Sequence, residues 1–294
     1  MITGSLVALV TPFHVNSHDI DWDSLKSLID WHVDQGTDGI VTVGTTGESA
    51  TLNVQEHSSV IDFVVQYVNG RLPVIAGTGA NCTREAIALT RTAKEVGADA
   101  CLLVTPYYNK PTQHGLYLHF KTIAEEVDIP QILYNVPSRT ACDMSTDTVL
   151  ELAKLANICG IKDATGDLER GAALISQTPS RFSVYSGDDM SARQLMIAGA
   201  HGNISVTANI VPKLMSEMCR AALSGAGSEA DNIDQKLRAL HLALFLESNP
   251  IPVKWALSRM GYIENVLRLP LTSMAESNGP AIETAMRDAM IDFD

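Results

Sequence analysis

Gly97-Ala98-Asp99-Ala100-Cys101-Leu102-Leu103-Val104-Thr105 reads as the end of a helix, a tight turn and a buried strand in immediate succession. Before it, Ala86, Leu89, Ala93 and Val96 keep helical spacing, with Thr83 as the expected N-cap. Gly97 suits the left-handed position that stops a helix. After it the chain is apolar without alternation, as in a parallel strand covered on both faces. The same turn recurs as Gly36-Thr37-Asp38-Gly39 and as Gly199-Ala200-His201-Gly202. A repeated helix-to-strand turn implies a repeated βα unit.

Working outward, eight such runs are found: Leu6–Val10, Gly39–Val43, Pro73–Gly77, Ala100–Thr105, Gln131–Val136, Ile158–Lys162, Phe182–Ser186 and Gly202–Val206. Amphipathic stretches separate them, such as the one carrying Trp22, Leu25, Leu28, Ile29, Trp31 and Val33, which ends at Gly36. Eight strands alternating with helices predict an α/β fold, a (β/α)8 barrel over residues 1–224. The competing architecture is an open doubly wound sheet. Its nucleotide fingerprint is missing, because Gly77-Thr78-Gly79 lacks the third glycine. Beyond the eighth strand the pattern is helical. Ile233, Leu237, Leu240 and Leu244 form one stripe, Pro250 and Pro252 open a helix towards Gly261, and a last helix covers Pro280 to Met290. Residues 225–294 are expected to be an appended helical bundle serving packing and oligomerisation.

The composition narrows the function classes. The 294 residues carry a formal net charge of −13, which disfavours nucleic acid and anionic membranes as partners. No apolar run is long enough for a membrane span. Five scattered cysteines, odd in number and without a C-x-x-C pair, predict a reduced, cytoplasmic setting. Met1-Ile2-Thr3-Gly4-Ser5 has no signal-peptide character. The eight histidines show no metal-ligand grouping. Asp188-Asp189 reads as a helix N-terminus before it reads as a cation site.

Barrels of this kind place chemistry at the C-terminal ends of their strands. There the sequence sets Gly44-Thr45-Thr46-Gly47-Glu48, Thr105-Pro106-Tyr107-Tyr108-Asn109, Tyr134-Asn135-Val136-Pro137-Ser138-Arg139 and Lys162-Asp163. Lys162 follows its strand without a turn, and simple alternation places it on one face with Ile158 and Gly160. If that face is internal, Gly160 leaves room for the side chain. Desolvation can lower a lysine pKa of about 10.4 by roughly 3, making the amine a nucleophile for a carbonyl. On spacing alone, a lysine at a strand end that extends its ammonium to water is the better reading. Tyr134 can pass protons, or be a core tyrosine with a satisfied hydroxyl. Thr45 and Thr46 can bind a carboxylate or only shape a turn. Arg139 offers a carboxylate fork, or is a solvated arginine.

Taken with Lys110-Pro111 after the tyrosine pair, Thr140 after Arg139, Ala164-Thr165-Gly166 after Lys162-Asp163, and Asn249-Pro250-Ile251-Pro252-Val253-Lys254, these segments resemble the dihydrodipicolinate synthase family. The resemblance runs from Gly4 to Pro270 and beyond. It implies aldol condensation of pyruvate with L-aspartate-4-semialdehyde, followed by ring closure. In that scheme Lys162 forms an imine with pyruvate, and Thr45, Tyr108 and Tyr134 relay protons. Thr46 holds the pyruvate carboxylate, and Arg139 the carboxylate of the second substrate. Gly187 and Ile204 line the site through their backbone. No cofactor beyond the imine is implied. A homotetramer of two dimers is implied, with Tyr107 reaching across the dimer interface. Feedback inhibition by L-lysine is implied at Ser49, Ala50, His57, Asn81, Glu85 and Tyr107. Val54 stands where sensitive relatives often have histidine, so inhibition is expected to be weaker. Asp163 and Ala141 depart from the commoner glutamate and glycine. The rival readings are a sialic-acid or 2-keto-3-deoxy sugar acid lyase, against which Arg139 argues, and a non-catalytic binding barrel.

Overall fold

In the computed structural model, residues 2–291 are described; Met1 and residues 292–294 of the two expected segments lie outside them. Among the described residues, eight parallel strands close into a barrel in sequence order. They are β1 (Gly4–Ala8), β2 (Gly39–Thr42), β3 (Val74–Gly77), β4 (Ala100–Val104), β5 (Gln131–Asn135), β6 (Ile158–Asp163), β7 (Ser183–Ser186) and β8 (Gly202–Ser205). The apolar runs thus mark all eight strands. β1 begins two residues earlier than expected, because Gly4 and Ser5 pair with Gly202 and Asn203 of β8 and close the ring.

The apolar side chains divide by strand alternation into two cores. Leu6, Ala8, Val41, Ile75, Leu102, Ile132, Tyr134, Tyr185 and Ile204 fill the barrel interior. Their alternates, among them Val7, Ile40, Leu103, Leu133, Ile161 and Val184, face the surrounding helices. The two faces of every strand are therefore dry, which explains why the runs do not alternate in polarity.

The helix Thr83–Val96 stops at Gly97, whose φ is +94°. Its N-cap is Cys82, not Thr83. Thr83 is already helical, and its hydroxyl meets Nδ1 of His119 at 2.9 Å. Asp188 caps the helix Asp189–Ile197 by accepting from the Ser191 amide. Asp189 is buried and accepts from Nδ2 of Asn203 and the amides of Val206 and Thr207. The pair is thus helix-terminus chemistry that also fixes the β8 loop.

The helix Pro212–Leu223 covers the closure of the barrel. Three C-terminal α-helices follow among the described residues: Gly227–Ala243, Ile251–Arg259 and Gly279–Asp288. Leu237 and Leu240 from the first of these, with Leu244 at its C-cap, belong to the same continuous core as the helices around the barrel. The turn between the first two carries Phe245, Ser248 and Asn249 back over the C-terminal mouth of the barrel.

Candidate active site

The mouth holds a cavity of about 350 Å³. Its floor is Ala8, Val41, Leu102 and Lys162, and its walls include Thr45, Thr46, Tyr134, Arg139 and Gly187. Phe245, Ser248 and Asn249 complete the rim, so the C-terminal segment does more than pack against the barrel.

Lys162 does face inward, but by a different parity from simple alternation. Gln131 pairs with Ile158, whereas Ile132 pairs with Gly160, so Cys159 is an extra residue in β6. This bulge turns Ile158 to the helix side and leaves Gly160 and Lys162 on the barrel side. Nor does Gly160 make room for the lysine. A Cβ there would lie 2.6 Å from the Ser183 carbonyl oxygen, so the glycine permits close approach of β7. Gly187 makes the room: a Cβ there would lie 2.8 Å from Cε of Lys162.

Register places Tyr134, Lys162 and Tyr185 at one level of three adjacent strands. The Lys162 amine sits 4.4 Å from the centre of the Tyr134 ring. The side chain is 6% exposed and, among the described residues, pairs with no carboxylate. A second buried lysine gives the contrast. Lys254 is fully enclosed, donates to Oε1 of Glu48 at 2.6 Å and to the Thr11 carbonyl at 2.9 Å, and lies over the Phe13 ring. Burial lowers its pKa to about 8, against the opposing pull of Glu48. One lysine is neutralised by a partner and built in; the other is unpaired and opens on a cavity.

The substrate-site residues are held from several directions. Thr46 is buried, and its hydroxyl accepts from Nδ2 of Asn249 at 2.9 Å. Arg139, on the short helix Pro137–Thr140, donates from Nη2 to the Asn249 carbonyl at 3.1 Å. Glu48 has a left-handed backbone, φ +56°, and receives Lys254, the Thr51 hydroxyl and the Arg268 amide. Behind Lys162, Asp163 accepts from the Thr165 amide at 2.9 Å and lies 3.4 Å from Nε of Arg170. Arg170 also pairs with Asp143, which accepts from Asn135. The sequence assigns no role to Asn249, to the Glu48–Lys254 pair or to the Arg170 network; the partners of the first two lie more than 100 residues away along the chain.

Not every expected residue reaches this cavity. The side chain of Ile204 fills the barrel core, which leaves only its backbone for the expected role, and Val206, two residues on, lines the cavity. Tyr108 is 90% exposed, with a φ of +75°, and projects away from its own site. Tyr107 stays closer to its own chain. Its carbonyl accepts from Asn81, and it lines an adjoining cavity of about 290 Å³ with Thr45, Ser49, Ala50 and Arg139. His57 is buried beside this region, with Nε2 at 2.7 Å from the Gly77 carbonyl, and burial lowers its pKa while the nearby Glu85 carboxylate opposes that. Burial and Glu85 together raise the Tyr107 phenol. The six residues of the expected lysine site therefore cluster, while Val54 is exposed.

The dihydrodipicolinate synthetase family model matches residues 1–289. The chain belongs to that family. It is 61% identical over 287 residues to the 4-hydroxy-tetrahydrodipicolinate synthase of Stutzerimonas stutzeri, covering 98% of each chain. Among solved structures it resembles the chloride-inhibited dihydrodipicolinate synthase of Acinetobacter baumannii complexed with pyruvate. That match has a TM-score of 0.98 and 56% identity, over 99% of this chain and 100% of the other. The family's Cyanidioschyzon merolae member, solved with lysine bound, matches with a TM-score of 0.96 and 37% identity over 99% of both chains. Family membership and the closed eight-stranded barrel agree with the sequence reading.

Proposed function

We propose that this chain catalyses the condensation of pyruvate with L-aspartate-4-semialdehyde to give 4-hydroxy-tetrahydrodipicolinate. The observation that carries the mechanism is an enclosed, unpaired Lys162 amine at the floor of a cavity whose walls bear Thr46, Tyr134 and Arg139. The amine adds to the pyruvate ketone and water leaves, forming a protonated imine. The imine draws electrons from the methyl group, which loses a proton to give an enamine. The enamine carbon bonds to the aldehyde carbon, and the aldehyde oxygen takes up a proton. The amino group of the second substrate then attacks the imine carbon, closing the ring and releasing Lys162.

Thr46 holds the keto-acid carboxylate and Arg139 the carboxylate of the aldehyde. Tyr134, against the amine, moves protons to and from the carbinolamine, with Thr45 beside it in the same cavity. The third relay member, Tyr108, comes from a second copy of the chain. Its projection into solvent favours it over Tyr107 as the crossing residue, and the adjoining cavity at Thr45 and Arg139 is where it enters. This makes a dimer the smallest complete catalyst, and two dimers form the tetramer. The imine supplies the electron sink, so the scheme uses no metal or organic cofactor. L-lysine binds beside Tyr107 and Glu85 and inhibits, less strongly for want of a histidine at Val54; unchanged activity across millimolar lysine would contradict this. The enzyme works in the cytoplasm. No helix of the described residues is long and apolar enough to cross a membrane.

Borohydride reduction in the presence of pyruvate tests the central step. The peptide carrying Lys162 gains one reduced pyruvate, and loss of activity parallels that gain. Trapping on a different lysine, or none, refutes the assignment.

A further inference from the structure

Asn249 occupies an unusual place between the two carboxylate-binding residues. It is 5% exposed and lies in the turn before the helix Ile251–Arg259. Its side chain and its main chain each bond to a different one of these two residues. Nδ2 donates to the Thr46 hydroxyl oxygen, while the carbonyl oxygen accepts from Arg139.

A hydroxyl has one proton to give and can accept as well. Since Oγ1 of Thr46 accepts from Asn249, its own proton stays free, and no protein acceptor is recorded for it among the described residues. A carboxylate in the cavity is the acceptor that this arrangement favours. The amide oxygen of Asn249 is buried without a partner. Packing alone would be better served by an apolar side chain, because an unsatisfied buried acceptor is unfavourable. The donor group is therefore what the position requires. The same two segments are tied a second time by Glu48 and Lys254, which holds the turn against the Thr46 loop.

We propose that Asn249 is a positioning residue for the keto acid: its amide orients the Thr46 hydroxyl as a donor to the pyruvate carboxylate. This rests on the reading of Thr46 as the carboxylate holder. The link to Arg139 runs through the main chain, so a side-chain substitution leaves the aldehyde's site in place.

The test is a double-mutant cycle on the full chain, with Asn249→Ala, Thr46→Val and the double variant, measuring kcat and KM for each substrate and the thermal midpoint. Asn249→Ala is expected to raise KM for pyruvate roughly tenfold, the worth of one hydrogen bond to a charged group, with KM for the aldehyde within about twofold. In the Thr46→Val background it is expected to add nothing further. An unchanged pyruvate KM in Thr46→Val defeats the reading of Thr46 itself. A raised KM in Thr46→Val but not in Asn249→Ala overturns the role of Asn249. So does an equal rise for both substrates, or two effects that multiply in the double variant. If Asn249→Ala does not accumulate as folded protein, Asn249→Ser, too short to reach Thr46, is judged by the same criteria.

Discussion

The two buried lysines make a sharp prediction when each is removed. Replacing Lys254 by methionine keeps the stem and deletes the ammonium. Glu48 is then left enclosed, with only the Thr51 hydroxyl and the Arg268 amide, both at 3.2 Å, in place of a cation at 2.6 Å. Breaking a buried ion pair by removing one partner costs about 3–5 kcal/mol. A chain of 294 residues has an unfolding entropy of about 0.6 kcal/mol per degree, so the midpoint should fall by about 5–8 °C. Glu48→Gln together with Lys254→Met removes both charges and should regain most of that loss. Lys162 has no carboxylate partner to orphan, so Lys162→Ala should shift the midpoint by no more than roughly 3 °C while abolishing turnover and trapping. Calorimetry on the four proteins reads the stabilities, and a coupled assay reads the rates. The reasoning fails if Lys254→Met unfolds at the parent temperature. It fails equally if Lys162→Ala is destabilised as much as Lys254→Met.

Acid should unfold the protein partly through two enclosed histidines. Burial pushes His32 down to about 3 and His119 to about 4, from 6.5, so below pH 6.5 the unfolded chain binds more protons than the fold and stability drops on acidification. The slope climbs towards about 1.4 kcal/mol per pH unit for each once the unfolded imidazole is fully protonated, so roughly 3 kcal/mol is lost between pH 6.5 and 5; denaturant titrations of His32→Asn and His119→Asn proteins should show a shallower slope. Gly187→Ala puts a methyl 2.8 Å from Cε of Lys162 and should cut pyruvate trapping at least tenfold by displacing the amine; undiminished trapping would show that the lysine does not need this space. Mixed oligomers of Tyr108→Phe and Lys162→Ala chains should recover activity that neither has alone, because one site per hybrid dimer is then complete. Mixtures no more active than their parents would place the relay within one chain.

The barrel was legible because eight strands dry on both faces leave a mark that needs no long-range information: an apolar run, then a polar cluster, then a helix ending at glycine. Site chemistry was legible where it lies in one strand end, as with Lys162, Tyr134 and Arg139. Its supports were not. Glu48 and Lys254 are 206 residues apart, and Thr46 and Asn249 are 203 apart, so only closure of the barrel brings them together. The inward aim of Lys162 shows the limit most clearly. Strand alternation put it on a face with Ile158, and a single extra residue at Cys159 breaks that relation. Counting back to Ile158 misleads; what fixes the lysine is its pairing with Tyr134 on one side and Tyr185 on the other. A parallel bulge at the base of β6 has no propensity signature, since the residue inserted is an ordinary cysteine whose thiol donates to the Gln131 carbonyl at 3.4 Å. Orientation of a catalytic side chain is therefore a property of the ladder and not of its own strand. The room it needs is supplied by yet another strand end, at Gly187.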